Sequence, residues 1–313
     1  MSPRTRVLAF VFLAFAIWLA GVTWSRSTRR TPAANRGETP DAGEVVVPVP
    51  APELVDAFVR STPNRIAEVD AAREADARRI AVVYATWSEA TEHGLCNVPL
   101  AGVGRDDFAD RLRDSLEACA DAAGVFLPRS LGLGIRRADR SLLALDDPAL
   151  DPIFQLGKPV VIEQSGPVAW FEDDGPFAGE AEPGVPWPTR AQLQMALERR
   201  AARHPETDLI LVDWGHADAD TLGRWLAQPR RYVVTSGPPP EGADALLRAH
   251  PDRFLFGTGL TLTPDAARRG PEGVPIADPA EAWSAALEEL EALLDETTRG
   301  PILAGNAVRV LGL

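Results

Sequence analysis

Lysine is almost missing from these 313 residues: Lys158 is the single one. It precedes the apolar run Pro159-Val160-Val161-Ile162, which places it at the entry of a strand. Schiff-base chemistry and a lysine-bridged metal pair are left without their obvious residue. Histidine is scarce too. His93, His204, His216 and His250 are the whole supply, spread too widely along the chain to form a local metal-ligand motif. His93 reads as a loop residue, while His204 and His250, each before Pro, read as structural caps at helix ends. No Gly-rich phosphate loop occurs. Cys96 and Cys119 are the only cysteines, at a spacing that matches no zinc or redox motif. They stand as a disulfide or as two separate buried thiols. One end of the chain is net basic because it lacks acids. The chain carries -13, yet its first 36 residues hold six Arg and no acid, which leaves -19 on the remainder. That charge argues against nucleic acid or anionic lipid as a partner of the folded part.

What is present is enough for a large core: 45% of the residues are hydrophobic, and the length suits one α/β barrel or two ordinary domains. Val7 to Trp24 is an uncharged apolar run of 18 residues, at the short end of a bilayer-spanning helix. No convincing small-x-small cleavage site follows it, and no cysteine stands after Leu19-Ala20-Gly21 to take a lipid. Residues 1–24 are therefore expected to be a single-pass membrane anchor, with a cleaved secretion signal as the alternative. Arg4 and Arg6 nearly balance Arg26, Arg29 and Arg30 across the run, so charge does not set its orientation. The short tail before a large domain resembles a signal anchor, which puts the domain outside the cytoplasm. Residues 25–52, rich in Pro, Arg and Thr, form an extended spacer.

From residue 53 to 313, short apolar runs alternate with helical patterns. Strands are expected at Leu54–Val59, Ile80–Ala85, Val98–Val103, Gly124–Leu127, Val160–Glu163, Leu209–Asp213, Tyr232–Thr235 and Phe254–Thr258. Helices are expected at Asn64–Arg78, Asp106–Ala122, Pro148–Gln155, Thr189–Arg203, Asp218–Ala227, Gly242–Ala249 and Ala280–Thr298. Near-continuous apolar strands between helices mean a parallel sheet, and eight such units predict a closed (β/α)8 TIM barrel. An open doubly wound sheet is the alternative. The Pro- and Gly-rich excursion Gln164 to Thr189, with Trp170, Phe171, Phe177 and Trp187, reads as a lid or as a satellite apolar cluster.

Several stretches in order along the chain resemble the amidohydrolase-related family of metal-dependent TIM-barrel hydrolases and decarboxylases. They include Leu131-Gly132-Leu133, Leu145-Asp146-Asp147-Pro148, Pro167-Val168-Ala169-Trp170-Phe171, His204-Pro205-Glu206-Thr207, Phe256-Gly257-Thr258 and Gly305-Asn306-Ala307. The family's metal site, as the resemblance implies, uses D-x-H-x-H on the first strand, histidines ending the fifth and sixth, and an aspartate ending the eighth. Many members add a lysine on the fourth strand. Here Asp56-Ala57-Phe58-Val59-Arg60, Glu163, Asp213, Gly259 and Phe126 occupy those places. Phe58, Phe126 and Gly259 offer no ligating side chain, and Arg60 would repel a cation.

The expected function is thus a membrane-anchored binding or scaffold pseudoenzyme with no metal cofactor, holding a small-molecule or protein ligand. The alternative is a hydrolase or decarboxylase-type lyase of small carbonyl or carboxylate substrates on a rebuilt site. In that reading Asp56, Glu163 and Asp213 form an acid-base pair or bind Mg²⁺ or Ca²⁺, with His216 as a base. In the first reading Arg60 replaces the metal as the cation that pairs with Glu163 and Asp213.

Overall fold

The computed structural model describes residues 52–61, 80–86, 94–164, 188–262 and 279–313. The expected anchor, the spacer, the helix at Asn64–Arg78, His93 and the tip of the excursion after Gln164 lie outside these residues. Among the described residues no helix is long and apolar enough to cross a membrane.

Nine parallel strands form one sheet. In chain order they are β1 (Leu54–Ser61), β2 (Ile80–Thr86), β3 (Gly94–Asn97), β4 (Gly124–Leu127), β5 (Val160–Ile162), β6 (Leu209–Leu211), β7 (Arg231–Val234), β8 (Phe254–Leu255) and β9 (Thr261–Leu262). Consecutive strands pair from β1 to β8, and β9 pairs with the free side of β1. The residues between β8 and β9 complete the ring: Ala57 N–H donates to the Phe256 carbonyl at 2.8 Å, and Gly259 N–H to the Phe58 carbonyl at 3.0 Å. One interrupted eighth strand therefore seals the barrel against the first. The interruption at Gly259, which sits at φ 66°, is where the expected single strand Phe254–Thr258 gives way to two short ones.

Strand alternation sorts the core into two layers. Val83, Leu95, Phe126, Val161, Ile210, Tyr232, Val234 and Leu255 fill the barrel interior, while Val125, Val160, Leu209, Leu211, Val233 and Phe254 pack outward under the helices. The helices are α1 (Phe108–Ala118), α2 (Asp151–Phe154), α3 (Arg190–Arg203), α4 (Ala219–Leu226), α5 (Ala243–Ala249), α6 (Pro279–Glu291), α7 (Glu296–Gly300) and α8 (Asn306–Leu311). Their starts are written locally. Thr189 caps α3 in a box with Gln192, Asp218 accepts from Thr221 N–H at α4, and Asp295 from Thr298 N–H at α7. His204 and His250 close α3 and α5 as expected. The expected helix at Pro148–Gln155 is a 3₁₀ turn, Pro148–Leu150, running into α2. The last expected helix is split into α6 and α7. The chain ends by turning α8 under the barrel: Ala307, Val310 and Leu311 join the interior cluster, and Asn306 Nδ2 donates to the carbonyls of Pro251 and Phe254. The lower end of the barrel is closed by this helix.

One strand differs from expectation. Val98–Val103 is a loop and turn, and β3 lies just before it. Pro99 withholds a ladder N–H, and Gly102 and Gly104 take φ of 87° and 90°. Leu100 and Val103 are buried all the same, so their apolar character marks the core rather than a strand. Cys96 consequently lies within β3, and it is joined to Cys119, which closes α1, by a disulfide with Cα atoms 5.6 Å apart. Lys158 stands before β5 as expected and donates to the Ala122 carbonyl at 2.5 Å.

Candidate functional site

The first strand decides what reaches the mouth. Its register against β2 shifts between Asp56 and Val59, a bulge that interrupts alternation. Ala57 and Phe58 both join the interior cluster, while Asp56 is fully buried among outward-facing neighbours. Its carboxylate accepts from Thr258 N–H at 3.0 Å, the Thr258 hydroxyl at 2.8 Å, Trp283 Nε1 of α6 at 3.0 Å and Phe58 N–H at 3.3 Å. Burial pushes its pKa up to about 6, against the downward pull of these four hydrogen bonds. Asp56 is a clasp between β1, the β8–β9 connection and an outer helix.

Phe58 and Phe126 face each other inside the barrel, with ring centroids 5.4 Å apart and planes tilted by 46°. Both rings are buried. Gly257 lets the first of them in: a Cβ there would lie 2.3 Å from Val234 Cγ1 and 3.5 Å from Phe58 Cβ. Two of the places that the resemblance gives to metal ligands are thus a packed aromatic pair.

Glu163, just past β5, is buried and carries its own cation. Arg129, in the loop after β4, donates Nη1 to Oε1 at 2.8 Å and its backbone N–H to Oε2 at 3.3 Å. Sequence reasoning missed this residue because it lies 34 positions away, on a different connection. The side chain of Arg60 is outside the described residues.

Beyond β6, Asp213, Trp214, Gly215 and His216 all take positive φ, at 53°, 49°, 60° and 48°. A left-handed turn of this length costs strain at each non-glycine residue. Ser236 offsets part of it, accepting from Asp213 N–H at 2.9 Å and donating its hydroxyl to Oδ1 at 2.5 Å. Trp214 supplies more, buried against Phe254 and donating Nε1 to the Gly237 carbonyl at 3.1 Å. His216 Nε2 lies 3.8 Å from Asp213 Oδ2, so these two candidates do come together.

A catalytic divalent metal needs three or four donors converging on one point. Among the described residues the donor set does not fit that need. Phenyl rings fill two positions, Gly259 has no side chain, Glu163 is held by a guanidinium and Asp213 by a serine. Among the described residues no three His, Cys, Asp or Glu side chains converge.

Several solved structures superpose on this chain. A putative amidohydrolase from Staphylococcus aureus superposes with a TM-score of 0.50 at 13% identity, over 83% of this chain and 99% of that one. 2,6-Dihydroxybenzoate decarboxylase from Rhizobium gives 0.48 at 16% identity, over 80% and 88%. 5-Carboxyvanillate decarboxylase from Sphingomonas paucimobilis gives 0.42 at 18%, over 80% and 72%. No curated protein matches the sequence. The family model described as Amidohydrolase matches residues 27–313. With that match over most of its length and a closed parallel barrel, the chain belongs to the amidohydrolase family.

Proposed function

We propose that this barrel has given up metal-dependent hydrolysis and works as a binding domain, a pseudoenzyme of its family. The observation that carries the reading is the Phe58–Phe126 pair in the barrel interior. Placing a metal there would require unpacking two buried rings, and it would leave the ion without first-strand or fourth-strand donors. The test is the metal content of the full-length chain purified without chelator, followed by thermal melts with Zn²⁺, Mn²⁺, Mg²⁺ and Ca²⁺. Substoichiometric metal and unshifted melts are expected. Stoichiometric metal, lost in Glu163→Gln or Asp213→Asn, overturns the reading.

A second reading keeps an enzyme, a hydrolase or decarboxylase-type lyase of small carbonyl or carboxylate substrates. The strained turn Asp213–His216 favours it, because held strain concentrates at functional positions. Turnover of a carboxylate or amide panel that disappears in Asp213→Asn, with the melt unchanged, would establish it.

For location, the proposal remains an N-terminal anchor with the barrel in an oxidising, extracytoplasmic space, or else secretion. The apolar run Val7 to Trp24 and the Cys96–Cys119 disulfide support it. Membrane fractionation of the full-length chain separates anchoring from secretion.

A further inference from the structure

A pocket of about 350 Å³ opens between the loop after β4 and the first half of α3, outboard of the filled barrel interior. Its size falls in the range of small-molecule sites, roughly 300–1,000 Å³. The walls are largely hydrocarbon: Leu131, Leu142 and Leu145 from the loop, Leu193 and Met195 from the helix, Ile162 from β5. Met195 is 46% exposed, the one exposed large hydrophobic side chain among the described residues.

Four polar side chains line the wall, Glu163, Gln164, Gln192 and Arg199. Glu163 pairs with Arg129 and Arg199 with Asp146, so both charges of the wall are already paired and a neutral occupant is favoured over an ion. Gln164 has a fixed orientation. The carboxylate of Glu198 can only accept, so the Gln194 amide nitrogen faces it at 3.0 Å. Gln194 Oε1 is then the acceptor for Gln164 Nε2 at 3.4 Å, and Gln164 Oε1 is left buried with no hydrogen-bond partner. An orphaned buried acceptor is costly, and a donor on a bound molecule removes that cost.

We infer that this pocket binds a neutral small molecule with an apolar body and one hydrogen-bond donor, received by the Gln164 amide oxygen. The inference rests on the binding-domain reading of the barrel, and it places the ligand beside the ancestral metal position rather than in it.

The test is isothermal titration calorimetry of the full-length chain with three probes of one size, 2-naphthol, 2-methoxynaphthalene and 2-naphthoate. EDTA is kept in every cell, so that a metal site, which the metal assay detects by itself, contributes nothing. The expected result is one site for 2-naphthol and binding of 2-methoxynaphthalene about tenfold weaker, the share of one hydrogen bond. Binding of 2-naphthoate should be weaker still. Gln164→Leu should erase the difference between naphthol and methoxynaphthalene while the apolar probe still binds. Ala144→Trp, which fills the pocket, should abolish binding of all three. Met195→Glu, at an exposed position that the fold does not need, should weaken 2-naphthol severalfold. Absence of binding by all three probes overturns the inference, as does tighter binding of 2-naphthoate. Titrations unchanged in both Ala144→Trp and Met195→Glu overturn it equally.

Discussion

Asp56 is the acid whose environment makes the sharpest prediction. Its carboxyl is raised from 3.8 to about 6 by burial. The folded state therefore holds a proton that the unfolded chain releases between about pH 4 and pH 6. Stability tied to this group is complete below pH 4 and falls as pH rises to about 6, by roughly 3 kcal/mol in total. Denaturation midpoints measured from pH 4 to 8 should show that fall. Asp56→Asn should lack it, and at pH 5 should be less stable by about 1–3 kcal/mol, because Trp283 Nε1 or the Thr258 hydroxyl loses its acceptor. Arg200 makes the second. Its guanidinium has no exposure and pairs with Asp151, while donating to the carbonyls of Leu145 at 2.9 Å and Asp147 at 2.6 Å. It also lies 4.3 Å from the centre of the Phe154 ring. Asp151, despite some desolvation, is held below its ordinary pKa by the hydrogen bond from Arg200. Arg200→Met should cost about 3 kcal/mol in a urea melt, since two carbonyls lose their donor and Asp151 is left with the longer contacts to Arg203 and His204. Neither role was legible in the sequence. The direction of Asp56 depends on a bulge that alternation cannot reveal, and Arg200 reads as one more polar residue of an amphipathic helix. What the residues did reveal was the apolar character of Phe58 and Phe126, which the fold uses as a buried ring pair.

At the scale of elements, seven of the eight expected strands are found within a few residues of their expected bounds, because Val, Ile, Leu and Phe cluster there in short bursts. The exception, β3, is Gly94-Leu95-Cys96-Asn97, four residues with no β-branched side chain. Its pairing with β2 and β4 comes from the barrel, which leaves no gap for a missing strand. The β8–β9 interruption was equally hidden, and within it the chain passes close to Phe58 at Gly257. Gly257→Ala tests that closeness. The added methyl would meet Val234 Cγ1 at 2.3 Å and has the Phe58 backbone N at 3.3 Å on its other side. Neither strand can yield, so a loss of about 1–3 kcal/mol is expected. Phe58→Ala relieves only part of the crowding and empties one half of the aromatic pair, at about 3–5 kcal/mol. If chemical denaturation shows either variant to be as stable as the parent, the barrel interior is looser than described and the case against a metal there weakens with it.

For the molecule as a whole, the parallel ring could be anticipated from the alternation of strand and helix, and its sealing by α8 could not, because nothing in Asn306–Leu311 distinguishes a floor from an outer helix. The cysteines left two readings open in the sequence for a similar reason, and the fold decides between them by bringing β3 and the end of α1 together. The bond closes a loop with a sequence separation of 23. Loop-closure entropy makes that worth about 3 kcal/mol, independent of any contact the sulfurs make in the folded state. Reductant should therefore lower the melting temperature of the full-length chain, and Cys96→Ala with Cys119→Ala should lower it equally and remove the response to reductant. Protein unfolded without reductant should show no free thiol. Two thiols in protein taken from its native compartment would mean that the barrel matures in a reducing space. The disulfide would then no longer support an extracytoplasmic location, and the topology would rest on the N-terminal apolar run alone.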